Sequence, residues 1–341
     1  VEDYDATRRL LVEVVGAYCA YCEAPVSVDM PVEHKGAKFD AANRQAARFF
    51  SIDNVKFLDT GFPDYATQWR NLLIACDSCN TIKSSQPGQQ QAREYLYQFG
   101  TADAFETNNS EQLYMAALAW SIWPDSCPTN ITGQPAPPVD QTYRLITFDY
   151  SSQSQADLAN NGLLPPLSST TDAAATTVYK KVWVIPNDDY IQTLDDMTEM
   201  HYRVLNMISM LKLNRYVEDA SANDRRTQNR TNVYLLALNA VEDLATIVHS
   251  AGDKFDDPNV KLMVQSIRDT ALATGYWCVW MWVFSTTFQD ISHDVWDAVS
   301  TDDKNALLNY LFKIYMPGER ANGDGKVLFP GTDLSRIPDL S

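Results

Sequence analysis

Positive charge is scarce in this chain: 27 Lys and Arg stand against 44 Asp and Glu, a net charge of −17. That argues against a protein that holds nucleic acid by bulk charge. Heptad runs and short-period repeats are also lacking, which removes coiled coil, collagen and solenoid. With 45% hydrophobic residues the chain is too apolar for intrinsic disorder. The opening Val1-Glu2-Asp3-Tyr4-Asp5 is acidic where a secretory signal would be basic and then apolar. We therefore expect a cytoplasmic protein, and read a start at Val1 as a processed or trimmed chain. One charge-free run nears membrane length, the 18 residues Ala271–Phe288. Asp269 and Asp290 flank it rather than Lys or Arg. Trp277, Trp280, Phe284 and Phe288 recur along it at near-helical spacing, so a buried helix is expected and no membrane contact.

What is present is a chain of 341 residues, enough for one large domain or two ordinary ones. Its charge is uneven. Residues 1–100 hold 10 basic and 13 acidic residues, leaving 17 and 31 for the remainder, so −3 against −14. A site for a polyanion belongs in the first hundred residues. The remainder reads as a solvated acidic body or a docking surface for a basic partner.

Four of the six cysteines form two pairs, Cys19-Ala20-Tyr21-Cys22 and Cys76-Asp77-Ser78-Cys79, with 53 residues between them. A Cys-x-x-Cys turn brings two thiolates to one side of a tight knuckle. Two knuckles supply the four sulfurs that structural Zn²⁺ demands. A cytosolic setting disfavours disulfides, and a redox dithiol would not need a second copy. Cys127 and Cys278 have no companion at ligand spacing and read as buried apolar residues.

Between the knuckles lie Glu33-His34, then Asn71, with Asn80 and Lys83 immediately after the second pair. A phosphodiester hydrolase needs a base near neutral pH, which His supplies. It also needs a divalent cation on the phosphate oxygens, suited to hard ligands such as Glu33 and the Asn80 amide. A Lys beside them can hold a flanking phosphate.

The stretch Tyr18–Lys83 resembles the HNH (ββα-metal, His-Me finger) endonucleases whose fold is clamped by two Cys-x-x-Cys knuckles. The residues that carry this are Cys19-Ala20-Tyr21-Cys22-Glu23, Glu33-His34, and Trp69-Arg70-Asn71-Leu72-Leu73 leading to Cys76-Asp77-Ser78-Cys79-Asn80-Thr81-Ile82-Lys83. The resemblance implies His34 as general base and Glu33 and Asn80 as ligands of a catalytic Mg²⁺ or Mn²⁺. It implies Asn71 as the residue that braces the loop and orients the His, and Lys83 and Lys38 as phosphate contacts. Cys19, Cys22, Cys76 and Cys79 would hold a Zn²⁺ outside the chemistry. Two departures stand out: the third catalytic letter is Asn80 rather than His, and residues 40–66 form an excursion between His34 and Asn71.

The expected fold is α+β and mostly helical, with an amino-terminal ββα-metal module followed by a largely helical carboxy-terminal part. We expect a nuclease domain over 1–100, a connecting region of short strands and long loops over 101–188, and a helical domain over 189–341. Helices are expected near 4–17, 110–122, 190–212, 220–250, 258–288 and 294–315, and strands over Thr142–Tyr150 and Val178–Ile185. Met197, Met200, Leu205, Met207, Ile208 and Leu211 read as an apolar face. His201, His249 and His293 read as partly exposed or core histidines. Arg225, Arg226 and Arg230 form a basic cluster, read as a solvated or ion-paired helix face ahead of a nucleic-acid contact. The overall layout is loosely similar to Septu-type antiphage nuclease subunits, which implies a DNA substrate, defence against foreign DNA, and a protein partner such as a regulatory ATPase. A non-catalytic zinc-knuckle adaptor and a nuclease toxin are the alternatives.

Overall fold

The computed structural model describes residues 4–15, 17–27, 32–34, 51–52, 55–56, 72–83, 145–167, 173–216, 218, 224–252, 257–276, 278–280 and 282–284. Within them the protein is α+β and mostly helical. No described helix is long and apolar enough to cross a membrane.

Helix α1 (Tyr4–Val15) runs into the first knuckle. Its inward Leu11 packs with Leu72 and Ile74, and Val12, Val26 and Val32 close around them. Strands β1 (Val32–His34) and β4 (Leu72–Ile74) pair antiparallel, with Glu33 opposite Leu73 and His34 opposite Leu72. Between them in sequence, β2 (Ser51–Ile52) and β3 (Val55–Lys56) form a small hairpin inside the 40–66 excursion. Helix α2 (Asp77–Lys83) begins directly after Cys76, with Asp77 in its positive first turn.

A second unit of sheet is longer. Strands β5 (Ile146–Ser154) and β6 (Val178–Pro186) pair antiparallel along their whole length, Ile146 opposite Pro186 and Ser154 opposite Val178. The expected strands are thus found, shifted by up to four residues. The stretch between them, expected as a long loop, holds α3 (Gln155–Asn160) and α4 (Ala173–Thr176). Ser154 and Asp157 close a reciprocal capping box at the start of α3.

The carboxy-terminal helices are α5 (Asp188–Ile191), α6 (Met197–Met210), α7 (Arg226–Ser250) and α8 (Pro258–Thr274). The helix expected near 190–212 is therefore two, broken at residues 192–196. Met207, Ile208 and Leu211 face inward as expected, whereas Met197 at the first turn is half exposed. Helix α8 opens on Asp257, whose carboxylate accepts from the Asn259 N–H at 2.8 Å, and on Pro258 at the first helical position. Its inward residues, Val260, Val264, Ile267 and Ala271, follow the helical period.

The helix expected over 258–288 does not run through. It stops at Gly275 (φ +69°), and Tyr276 (φ +52°) turns the chain before another helical turn at 278–280. The cause is a close approach: a Cβ at Gly275 would lie 2.6 Å from the Glu23 carbonyl oxygen and 2.7 Å from the Pro25 ring. One apolar core gathers the first knuckle, β4, the β5–β6 pair and α6 to α8, with Trp183, Trp280 and Phe284 as its largest fully buried members. The expected helices near 110–122 and 294–315 lie outside the described residues.

Candidate metal centre

The four paired cysteines converge. Their sulfurs all lie within 4.8 Å of one another, and Cys19, Cys22 and Cys79 are buried with Cys76 half buried. Cys22 Sγ and Cys76 Sγ are 3.8 Å apart. That is far too long for a disulfide, yet it equals the edge, about 3.8 Å, of a tetrahedron with 2.3 Å metal–sulfur bonds. The donor set, its spacing and its burial all fit Zn²⁺ or a similar soft-accepting dication.

Local backbone geometry makes this convergence possible. In the first knuckle the Glu23 N–H donates to the Cys19 carbonyl at 2.9 Å and the Cys19 N–H to the Ala24 carbonyl at 2.9 Å. Closing that turn puts Glu23 at φ +66°, a left-handed conformation that a non-glycine residue adopts at a cost of about 1–2 kcal/mol. In the second knuckle the Cys79 N–H points at Cys76 Sγ, 3.5 Å away, and the Asn80 N–H donates to the Cys76 carbonyl at 3.0 Å as α2 begins. The Ala20 N–H reaches the Ile74 carbonyl at 2.8 Å, so β4 carries the second knuckle to the first.

Four thiols in one pocket cannot titrate independently. Hydrogen bonding from the other three sulfurs holds Cys76 far below the ordinary thiol range. Cys22 is pushed well above it by the same neighbours and by burial. A dication that takes all four sulfurs as thiolates displaces the protons they carry.

The centre is held from the far end of the chain. Glu23 is the pivot: its carbonyl accepts from the Tyr276 N–H at 3.0 Å, and its carboxylate from the Cys278 N–H at 2.8 Å. Beside it the Tyr18 hydroxyl donates to the Leu272 carbonyl at 2.7 Å, at the end of α8. Cys278 is buried, as expected, and its sulfur takes no place in the cluster.

Arg226 and Arg230 do not lie on a solvated face; of the two expected alternatives, the ion pair holds for Arg226, with Asp224. They are 4% and 2% exposed. Arg226 Nη1 donates to Cys79 Sγ at 3.1 Å and to the Leu211 carbonyl at 2.9 Å, while Nε and Nη2 each meet an Asp224 oxygen at 2.8 Å. Arg230 donates to the Val182 carbonyl at 3.0 Å and the Leu213 carbonyl at 2.8 Å, and burial lowers its pKa to about 10. Arg225 alone of the three is exposed. The signal for this was helical period: Arg226 and Arg230 lie four apart on the stripe that continues through Val233, Ala237 and Val241.

Of the residues expected to carry chemistry, three have described side chains. Glu33 is 5% exposed at the centre of β1, and His34 at its end is half buried. Neighbours on a strand face opposite ways, so the two side chains leave β1 on opposite faces. Asn80 is half buried on α2. Lys83 ends α2, and Asn71, Lys38 and Cys127 lie outside the described residues. No second group of three His, Cys, Asp or Glu ligands gathers among the described residues. His201, partly exposed, meets Asp188 at 2.8 Å, His249 is exposed, and His293 lies outside the described residues. In comparisons with known proteins, no family model, no curated protein and no solved structure matches this chain.

Proposed function

We propose that this protein is a metal-dependent HNH endonuclease that hydrolyses DNA phosphodiester bonds, built around a structural zinc centre and serving defence against foreign DNA. The observation that carries the reading is the order strand, strand, helix around the thiol cluster. Glu33-His34 on β1 pairs with Leu72-Leu73 on β4, and Asn80 follows on α2 directly after the second knuckle. In this reading His34, at the end of β1, takes the proton from an attacking water. Glu33 and Asn80 hold a Mg²⁺ or Mn²⁺, which when bound stabilises charge on the phosphate and the leaving oxygen. Asn71 orients His34, and Lys83 and Lys38 meet flanking phosphates. The net charge of −17 makes unaided binding to duplex DNA weak, so a protein partner such as a regulatory ATPase belongs to the reading.

One observation favours a second reading, a non-catalytic zinc-knuckle adaptor. Glu33 is buried on the face opposite His34. Plasmid cleavage with Mg²⁺ or Mn²⁺, comparing wild type with His34→Ala at equal zinc content, separates the two. The nuclease reading expects cleavage that His34→Ala abolishes without loss of zinc. Full activity in His34→Ala removes His34 as the base, and the adaptor reading expects no cleavage from either protein.

A further inference from the structure

A metal centre formed only by residues 19–79 would be a module in its own right, yet one charged side chain reaches it from 147 residues away. Arg226, in the first turn of α7, donates to Cys79 Sγ at 3.1 Å. The same guanidinium donates to the carbonyls of Leu211 (2.9 Å) and Lys212 (3.3 Å) in the turn that follows α6; the Lys212 carbonyl also accepts from the Arg215 N–H at 3.0 Å. Asp224 grips it from behind with both carboxylate oxygens, at 2.8 Å each. The guanidinium is therefore fixed in position by groups that are not part of the metal centre.

We propose that Arg226 is a positioning residue of the metal–thiolate centre, so that metal binding and the seating of α7 against the end of α6 are one coupled event. Four thiolates around a dication carry a net charge of −2, an anion that a buried site must compensate. Arg226 compensates it by direct donation to a ligand sulfur, the kind of outer contact that orients a metal ligand and holds its charge. Arg230, one turn further along α7, adds a second buried cation on the same side. All four of its described hydrogen bonds go to neutral acceptors: the Val182 and Leu213 carbonyls, the Asn214 side chain and the Thr227 hydroxyl.

Coupling of this kind is reciprocal. If the seated α7 strengthens metal binding, the bound metal must by the same factor strengthen the seating of α7. Loss of the metal then loosens a junction reaching from Cys79 through the turn at 211–215 to the start of α7.

The test uses the full chain loaded with Co²⁺, whose thiolate charge-transfer absorption reads the sulfurs directly. Arg226→Gln is expected to weaken metal retention against a competing chelator by about 10- to 100-fold and to shift the charge-transfer band. Arg226→Lys, which keeps the charge and one donor, is expected to recover part of the retention. In wild type, removing the metal is expected to lower amide-exchange protection over residues 226–233 and 211–215 more than over α8. Unchanged bands and retention in the Arg226 variants overturn the proposal, as does unchanged protection at the start of α7 in metal-free protein or a wild-type chain that takes up no Co²⁺. If Arg226→Gln does not fold, Arg226→Lys and the wild-type exchange experiment decide alone. None of these readouts depends on nuclease activity.

Discussion

At Gly275 the end of α8 comes close to the first knuckle, and Gly275→Ala measures what that approach is worth. Two costs are separable. With φ +69° and ψ −151°, Gly275 occupies a region essentially reserved for glycine, where another residue costs about 1–3 kcal/mol. The added Cβ would also meet the Glu23 carbonyl oxygen at 2.6 Å and the Pro25 ring at 2.7 Å. Neither is the loose end of a side chain: one is backbone in a closed turn, the other a ring joined to it. Overpacking of that kind costs about 1–3 kcal/mol, so the whole change should cost about 2–6 kcal/mol of a typical 5–15. Gly252 is the built-in control. It has φ +67° but nothing within 4 Å of its would-be Cβ, so Gly252→Ala should cost only about 1–2 kcal/mol. Urea unfolding at fixed zinc concentration gives both values. Equal losses in the two variants would refute the idea that the knuckle is pressed against the end of α8.

Further measurements address the rest of the frame. Asn214, fully buried, pairs its side-chain oxygen with the Val184 N–H at 2.7 Å and its amide N–H with the Val184 carbonyl at 2.8 Å, like one rung of a missing strand. Asn214→Ala strands both groups, and should cost about 2–5 kcal/mol by denaturant unfolding; a loss under about 1 kcal/mol would mean water replaces the amide. Chelating the metal should lower the thermal midpoint: metal at a thousand times its Kd contributes about 4 kcal/mol. An unchanged midpoint in protein stripped of metal would show that the thiols hold their places without it. Asp157 is held below the ordinary carboxylate range by the Ser154 side chain and backbone. Its stabilisation is thus complete above about pH 3.9 and fades as pH falls through its lower folded value. Ser154→Ala should flatten that acid limb in pH-dependent unfolding, and an unaltered limb would assign it to other carboxylates.

The sequence made some elements plain and hid others, for physical reasons that differ from residue to residue. The two Cys-x-x-Cys pairs were legible because soft-metal ligation fixes both residue type and spacing. Strands β5 and β6 and helices α6 to α8 were legible from period, apart from their ends. The break at Gly275 was not, because it lies inside a charge-free run that reads as continuous helix. Its backbone conformation and a neighbour 252 residues away, the Glu23 carbonyl, make glycine necessary there, and no local window shows either. The burial of Arg226 and Arg230 was not legible because charge was read before position, although the ion-paired alternative holds for Arg226. Their carbonyl and thiol acceptors come from Val182, the turn at 211–213 and Cys79, which no local window contains. Glu23 was legible as part of a motif, but its role as the hinge onto Tyr276 and Cys278 was not.

These long-range contacts bear on how a site at His34 is held. Among the described residues, β1 and β4 are three residues each and α2 is seven, so these stretches offer little core of their own. The knuckles draw on the helical body instead, through Tyr18 to Leu272, Glu23 to Cys278 and Arg226 to Cys79. Closing loops of some 250 residues is less costly than it sounds, since each doubling of length adds only about 0.6 kcal/mol. The harder demand is fixing several such contacts at once. A tetrahedral metal meets it by joining both knuckles at one point, after which Glu23 and Cys79 sit ready for their distant partners. By this logic the helical body is a structural part of the metal centre, and the stiffness of the strand that ends in His34 is set partly by residues beyond 200 in the chain.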